Sequence, residues 1–296
     1  AAHPGSENAI LLFKGGVASL RNDTDHEPLF RQESNFAYLF GVFEPDCLAT
    51  IEMSTGRTTL FVPKLPAEYA TWMGAIHPPE HFTTKHGVDA TLFLDDLPDF
   101  LNERTGTGAS GAAGECTVHA MHGLNTDSGN MGPPLPDSKD IGKGLMMDTT
   151  KLFRVVVESR VFKSEAEIET LQRVNDVTSD AHIAVMAACK PGMYEFQLES
   201  TFLHHCYYNG GCRFSPYTSV CACGPNAAAL HYGHAGAPND RLITADDIML
   251  MDMGTELGCY CSDVTCSYPA NGTFTPDQRI VFEAVEAAQD EIFKVM

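Results

Sequence analysis

The sequence predicts a mixed α/β protein of two domains, in which short strands alternate with helices. The chain has 296 residues, which is enough for two domains of ordinary size. The first half contains several short apolar runs of strand length, separated by turn signals. The second half opens with a long helical pattern that ends at Pro191-Gly192. We place the boundary near Val157–Val161, so that the predicted domains are residues 1–158 and 159–296.

Turn and helix signals bound the elements predicted in the first domain. Ser54-Thr55-Gly56 between two strand patterns is typical of a hairpin, and Pro66 favours the start of a helix. The predicted strands are Ala9–Phe13, Phe36–Val42, Cys47–Met53, Arg57–Val62 and Thr91–Asp95, and the predicted helices are Pro66–Met73 and Leu97–Arg104. Thr105–Glu115 contains almost only small residues, which predicts a flexible surface insertion.

The second domain begins with a strong helix start, because Ser164 and Glu167 have the spacing of a capping box. Its last helix is predicted to begin at Thr275, a favourable N-cap that precedes a proline, and to run to Met296. Between them we predict a helix at Tyr194–Tyr208 and strands at Thr218–Cys223, Ala227–Tyr232, Ile248–Met251 and Cys259–Tyr268.

The last two of these strands carry one acid each, Asp252 and Asp263. A turn at Leu257-Gly258 would place Asp252 opposite Asp263, whereas a turn at Gly258-Cys259 would place it opposite Thr265. In both registers all three side chains share one face, since side chains alternate along a strand.

Two carboxylates this close repel each other, and a divalent cation would turn that repulsion into a set of ligands. Oxygen ligands suit manganese or magnesium, and zinc is possible. The alternative is a hairpin whose two acids face solvent or cap turns, and spacing alone does not decide between the two.

Composition excludes several classes of function. The chain has 39 acidic and 19 basic residues and a net charge of −20, which argues against nucleic acid and anionic membranes as partners. No apolar segment approaches the ~18 residues of a membrane span, and the first residues lack a signal-peptide pattern. The ten cysteines, including Cys221/Cys223 and Cys259/Cys261, predict buried thiols in a cytoplasmic protein; a thiolate metal site is the alternative.

Several sequence blocks resemble one enzyme family. The pattern D-M-G…S-D-V-T around Asp252 and Asp263 is similar to the first two metal-ligand positions of the pita-bread metallopeptidases. HYGHAGAPND (231–240) and SDVTCSYPANGTFTPDQ (262–278) narrow the resemblance to the proline dipeptidase (prolidase) branch. RQESNFAYLFG (31–41), LFVPKLPAEYATWMG (60–74) and GLNTDSG (123–129) match the amino-terminal domain of that family.

The resemblance implies a creatinase-like α/β amino-terminal domain followed by the first part of a pita-bread catalytic domain. It implies a homodimer that hydrolyses Xaa-Pro dipeptides with two divalent metal ions, expected to be Mn²⁺, in the cytoplasm that the cysteines indicate. It assigns Asp252 and Asp263 to the metals and His231 to the substrate. Tyr217 falls where the family has a tyrosine near the metals, and His234 belongs to the matching block without an assigned role.

The family's metal centre also needs a histidine and two glutamates from later strands. After Asp263 this chain has no histidine, and Glu283, Glu286 and Glu291 fall in the predicted last helix. We therefore expect an amino-terminal portion of the enzyme, trimmed at both ends and inactive alone. One alternative is a non-catalytic pita-bread homologue that acts as a binding module. Another is a metal-free creatinase-like hydrolase, against which the two aspartates argue.

Overall fold

The computed structural model describes residues 9–106, 116–137, 141, 145, 147–233 and 238–296. Residues 107–115 of the predicted insertion, and His234, lie outside the described residues. The chain divides into two compact units, one that ends at Phe162 and one that begins at Lys163.

A six-stranded mixed sheet forms the centre of the first unit. Its strands are β1 (Ala9–Lys14), β2 (Leu48–Glu52), β3 (Thr58–Val62), β4 (Ala90–Phe93), β5 (Thr117–Ala120) and β8 (Met147–Asp148). They lie in the order β4-β3-β2-β1-β5-β8. β2 is antiparallel to both β1 and β3, which confirms the predicted hairpin, whereas β4, β5 and β8 run parallel to their neighbours. Both faces are covered, because Phe13 packs in one apolar cluster while Ile10 and Leu12 pack in another.

The helices of this unit, and a separate two-stranded ribbon, lie outside the central sheet. They are α1 (Ser34–Phe40), α2 (Tyr69–Met73), α3 (Pro79–His86), α4 (Leu97–Thr105) and α5 (Leu152–Ser159), with β6 (Gly123–Leu124) paired to β7 (Met131–Gly132). The predicted helix at Leu97–Arg104 is confirmed, and the one predicted from Pro66 begins only at Tyr69.

The strand predicted at Phe36–Val42 is wrong, because most of this segment forms α1. The Glu33 carboxylate caps the helix by accepting the backbone N–H groups of Asn35 and Phe36, and Gly41 ends it in the left-handed conformation. Glutamate is not among the preferred N-cap residues, so the sequence carried no clear start signal for a short apolar helix.

Two long helices pack beside a three-stranded antiparallel sheet in the second unit. The elements of this unit are α6 (Glu165–Ala188), α7 (Glu195–Gly210), β9 (Val220–Cys223), β10 (Ile248–Met253), β11 (Glu256–Leu257), β12 (Tyr260–Cys261), β13 (Val264–Pro269) and α8 (Pro276–Phe293). The strand order in the sheet is β13-β10-β9. The predicted capping box is confirmed, since Ser164 Oγ accepts the Glu167 N–H and the Glu167 carboxylate accepts the Ser164 N–H. Sulfur-rich side chains fill the core between helices and sheet, among them Met249, Met251 and Cys221.

Two strand predictions in this unit need correction. Ala227–Tyr232 is not a strand, because a 3-10 helix at Gly224–Ala228 is followed by turns. The strand predicted at Cys259–Tyr268 is divided into β12 and β13, with Ser262 and Asp263 between them. Within the described residues, no helix has the length and apolar character needed to cross a membrane.

Candidate metal centre

The two aspartates lie on one hairpin whose register is the second of the two predicted. Asp252 in β10 pairs with Thr265 in β13, and β11 pairs with β12 around the two-residue turn Gly258-Cys259. Both turn residues have positive φ, at 59° and 69°, as a tight hairpin turn of this length requires. Asp263 is therefore the diagonal neighbour of Asp252 on the same face.

Between the two paired segments, the Ser262 side chain takes the place of one backbone acceptor. Ser262 Oγ accepts the Thr255 N–H at 2.9 Å, and the Ser262 N–H donates to the Thr255 carbonyl at 3.0 Å. Gly254 allows this close approach, because an added Cβ would lie 2.1 Å from the Ser262 carbonyl oxygen. Gly254 thus allows the two strands to stay close together at Ser262, although Ser262 and Asp263 lie between β12 and β13.

Tyr217 joins the two carboxylates. Its hydroxyl oxygen lies 2.6 Å from Asp252 Oδ1 and 3.0 Å from Asp263 Oδ1, both hydrogen-bond distances. Burial raises the pKa of this phenol far above its usual range, and the two carboxylates raise it further. The hydroxyl therefore stays protonated and offers one proton to two anionic oxygens that converge on the same point.

These three side chains line one wall of a cavity of about 440 Å³. Thr218, Val220, His231 and Tyr232 complete its lining. His231 is exposed in the turn that follows the 3-10 helix. Asp252, Asp263 and His231, the residues that the sequence predicted for the site, therefore line one cavity. Tyr217 lies between the two aspartates.

A buried carboxylate that the sequence did not indicate holds the His231 side of the cavity. Glu195, at the first position of α7, is completely buried. It accepts hydrogen bonds from Tyr232 Oη at 2.7 Å, from the backbone N–H groups of Cys223 and Arg241 at 2.8 and 3.1 Å, and from Asn226 Nδ2 at 3.1 Å.

Burial raises the pKa of Tyr232, and the adjacent Glu195 carboxylate adds to the effect. The only sequence signal for Glu195 was an acid between two aromatic residues, Tyr194 and Phe196, at a helix start. Its contacts come from three separate segments of the chain, which explains why local patterns did not reveal it.

The donor set fits part of a site for a hard divalent cation. Carboxylate and phenol oxygens are the ligand type that manganese and magnesium prefer. Among the described residues, however, no group of three or more His, Cys, Asp or Glu side chains is placed to hold a metal ion. Asp252 and Asp263 can therefore supply two protein ligands, and further ligands would have to complete the coordination.

The Cys221/Cys223 pair does not offer a comparable site. Cys221 and Cys223 are buried free thiols in β9, and burial raises the pKa of Cys223 to about 12. A thiol binds metal as the thiolate, and desolvation disfavours that form here. The structure therefore favours the oxygen-based site over the thiolate alternative.

Two parts of the sequence match the models of known protein families. Residues 2–110 match the model of the aminopeptidase P N-terminal domain, and residues 169–296 match that of metallopeptidase family M24. The human Xaa-Pro dipeptidase is 47% identical over 277 residues, which are 94% of this chain and 54% of that protein. The chain thus spans about half the length of the curated relatives it matches.

Solved structures of aminopeptidase P share the fold. Aminopeptidase PepP of Pseudomonas aeruginosa is 28% identical with a TM-score of 0.77, and the match covers 95% of this chain and 62% of that one. The zinc-substituted aminopeptidase P of E. coli, in complex with product, is 26% identical with a TM-score of 0.74, and the match covers 97% of this chain and 64% of that one.

Proposed function

Because the chain belongs to the M24 metallopeptidases, with an aminopeptidase P type N-terminal domain, we propose that it provides part of the active site of a dinuclear-metal dipeptidase for Xaa-Pro substrates. One observation carries the proposal. Asp252 and Asp263 converge on a single point, marked by the Tyr217 hydroxyl, inside a cavity that His231 also lines. Two anions gathered in this way favour a bound cation.

Each side chain has a separate role in this proposal. Asp252 and Asp263 would hold the metal ions, which when bound would polarise the scissile carbonyl and activate water for its attack. His231 faces the same cavity, where its imidazole can donate a hydrogen bond to the oxygen on which negative charge develops. Tyr217 would orient the two carboxylates from the side.

Sequence similarity favours a dipeptidase over an aminopeptidase. Identity to the human Xaa-Pro dipeptidase is 47%, against 28% to the aminopeptidase of P. aeruginosa. The family resemblance supports a homodimer as the assembly, and the oxygen ligands support Mn²⁺ as the metal. We propose the cytoplasm as the location. The ten free cysteines agree with a reducing compartment.

The test is hydrolysis of glycyl-proline and of the tripeptide glycyl-prolyl-alanine in the presence of Mn²⁺ by the protein read from the complete gene. A dipeptidase cleaves the first and leaves the second intact, whereas an aminopeptidase cleaves the second. Asp252→Asn and Asp263→Asn are expected to abolish turnover, and Asp246→Asn, an exposed aspartate of the same unit, serves as the matched control.

The 296-residue chain alone is expected to give no turnover above the blank, since two carboxylates do not complete the centre. Turnover in a preparation free of longer forms would contradict this expectation. A complete protein that binds Xaa-Pro dipeptides without cleaving them would instead support the binding-module alternative.

A further inference from the structure

We propose that Thr178 and His182 are positioning residues that set the spacing between Asp252 and Asp263. Both lie on α6, one helical turn apart, and therefore on the same face of the helix. The contacts that carry this inference lie within the protein and involve no ligand. The inference rests on the proposed function only in taking a divalent cation as what the two aspartates bind.

Each of the two side chains contacts the residue next to one of the aspartates. His182 Nε2 lies 3.1 Å from the carbonyl oxygen of Met253, which directly follows Asp252. Thr178 Oγ1 lies 2.5 Å from Ser262 Oγ, and Ser262 directly precedes Asp263. One face of α6 thus holds both strands of the hairpin, immediately beside the two carboxylates.

Strand alternation places the side chains of Met253 and Ser262 on the face opposite to the two aspartates. Met253 is completely buried and Ser262 is 2% exposed, whereas Asp252 is half-buried and Asp263 is exposed on the cavity side. The helix therefore supports the hairpin from behind, and both carboxylates stay on the cavity side with Tyr217.

The chemistry of the His182 contact fixes its orientation. A neutral imidazole has one donor and one acceptor, and the Met253 carbonyl can only accept, so Nε2 carries the proton. Nδ1 then accepts from the Cys266 thiol at 3.2 Å. Burial lowers the pKa of His182 below its usual value, against the opposing effect of the carbonyls of Met253 and Val264, which agrees with this neutral form.

The Ser262 contact is part of a closed network. Thr178 is completely buried, and its hydroxyl also bonds to the Val174 carbonyl at 2.9 Å. Ser262 Oγ in turn accepts the Thr255 N–H from the opposite strand. Removing the Thr178 hydroxyl would leave the hairpin intact but free to shift relative to α6, and Asp263 would shift with it.

Partners that orient metal ligands without touching the metal typically change metal affinity by about 10- to 100-fold when they are removed. The experiment is titration of the 296-residue chain with Mn²⁺, with free Mn²⁺ followed by electron paramagnetic resonance. Asp252→Asn and Asp263→Asn variants define which binding belongs to the site. We expect Thr178→Val to weaken that binding about tenfold.

Two further threonine variants distinguish positioning from general stability. Thr178→Ser keeps the hydroxyl and is expected to bind Mn²⁺ within about twofold of the unmodified chain. Thr170→Val is the matched control, because Thr170 makes the same hydroxyl-to-carbonyl bond on α6 at 2.9 Å but is only partly buried. Thermal unfolding of each variant ensures that affinity is measured on folded protein.

His182→Leu, which removes the donor to Met253, gives an independent measurement if Thr178→Val does not fold. Thr178→Val and His182→Leu are compared only if they fold. If their aspartate-dependent Mn²⁺ binding is unchanged, the inference is wrong and the proposed function still stands. Mn²⁺ binding that does not depend on Asp252 and Asp263, or no binding at all, also overturns the inference. Neither result decides the proposed function, which needs further ligands and is tested separately by hydrolysis of glycyl-proline. Weaker binding in Thr178→Val, with recovery in Thr178→Ser, supports it.

Discussion

Asp252 lies opposite Thr265, not opposite Asp263, so the two carboxylates are diagonal neighbours on the hairpin. Directly opposed side chains have Cβ atoms about 4.5–5.5 Å apart, whereas diagonal ones are about 7–8 Å apart. The diagonal arrangement reduces the repulsion between the two anions. It also leaves the space that the Tyr217 hydroxyl fills, at 2.6 and 3.0 Å from their oxygens.

Replacement of Tyr217 by phenylalanine is expected to destabilise the metal-free chain by about 1.5–3 kcal/mol, the usual contribution of a hydrogen bond to a charged group. The two carboxylates would lose the donor that they share. Urea unfolding at neutral pH measures the change. Tyr260→Phe is the control, because its hydroxyl bonds to one carboxylate, that of Glu167, and a smaller loss is expected. Equal losses would mean that sharing adds nothing.

Gly254 is predicted to tolerate no side chain. In Gly254→Ala the new Cβ would lie 2.1 Å from the Ser262 carbonyl oxygen and 3.1 Å from Pro216 Cγ. Backbone atoms must then move, and we expect a loss of about 3 kcal/mol or more, at or above the upper end of overpacking costs.

The control for this prediction is Gly258→Ala in the same hairpin. Gly258 has φ of 59° and nothing within 4 Å of an added Cβ, so only the left-handed backbone cost of about 1–2 kcal/mol applies. The melting temperatures of both variants give the comparison. A Gly254→Ala variant as stable as Gly258→Ala would show that the strands separate easily at this point.

Glu195→Gln is expected to destabilise the second unit by about 2–4 kcal/mol, although glutamine has nearly the same shape. Oε1 accepts the Cys223 N–H and Oε2 accepts the Arg241 N–H. Whichever way the amide is turned, its NH₂ group faces a backbone donor, and a buried unpaired donor costs about 1–3 kcal/mol in addition to the weakened bonds.

Glu199→Gln on the same helix is the matched variant for Glu195→Gln. Its carboxylate bonds to Asn239 Nδ2 at 2.9 Å and is only partly buried, so we expect a loss below about 1 kcal/mol. Denaturant midpoints at constant pH provide the measurement. Similar midpoints for the two variants would contradict the central role of Glu195.

Stability is expected to fall in acid partly through Asp247. Burial alone would raise the pKa of Asp247, but the Arg241 guanidinium, which bonds at 2.6 and 3.1 Å, and the Thr244 N–H outweigh it and hold the pKa below its usual value. Because the pKa of Asp247 is lowered by folding, its carboxylate contributes fully to stability above the unfolded-state pKa of about 3.9. This contribution is lost as the pH falls below that value.

Asp247→Asn should therefore show a smaller decrease in unfolding free energy between pH 5 and pH 3 than the unmodified chain. Urea unfolding at several pH values measures both slopes. Asp246→Asn, next to it but exposed, is the matched control. Parallel curves for Asp247→Asn and the unmodified chain would show that this ion pair does not contribute to acid sensitivity.

The sequence alone predicted the mixed α/β class, the hairpin Cys47–Val62, the capped helix from Ser164 and the common face of the two aspartates. These features depend on local patterns: turn residues, a capping box and the period-two alternation of a strand. The prediction of a strand at Phe36–Val42 was wrong because it also depended on a local pattern. A short apolar run fits either a strand or a helix until its cap is known.

The tertiary structure decided which register the hairpin takes and what surrounds the two acids. Tyr217, Thr178 and His182 reach the hairpin from positions 35 to 84 residues away in the chain. The Glu195 network likewise joins segments 28 to 46 residues apart. No local pattern encodes such contacts, since they form only when helices and strands pack and buried polar groups must find partners.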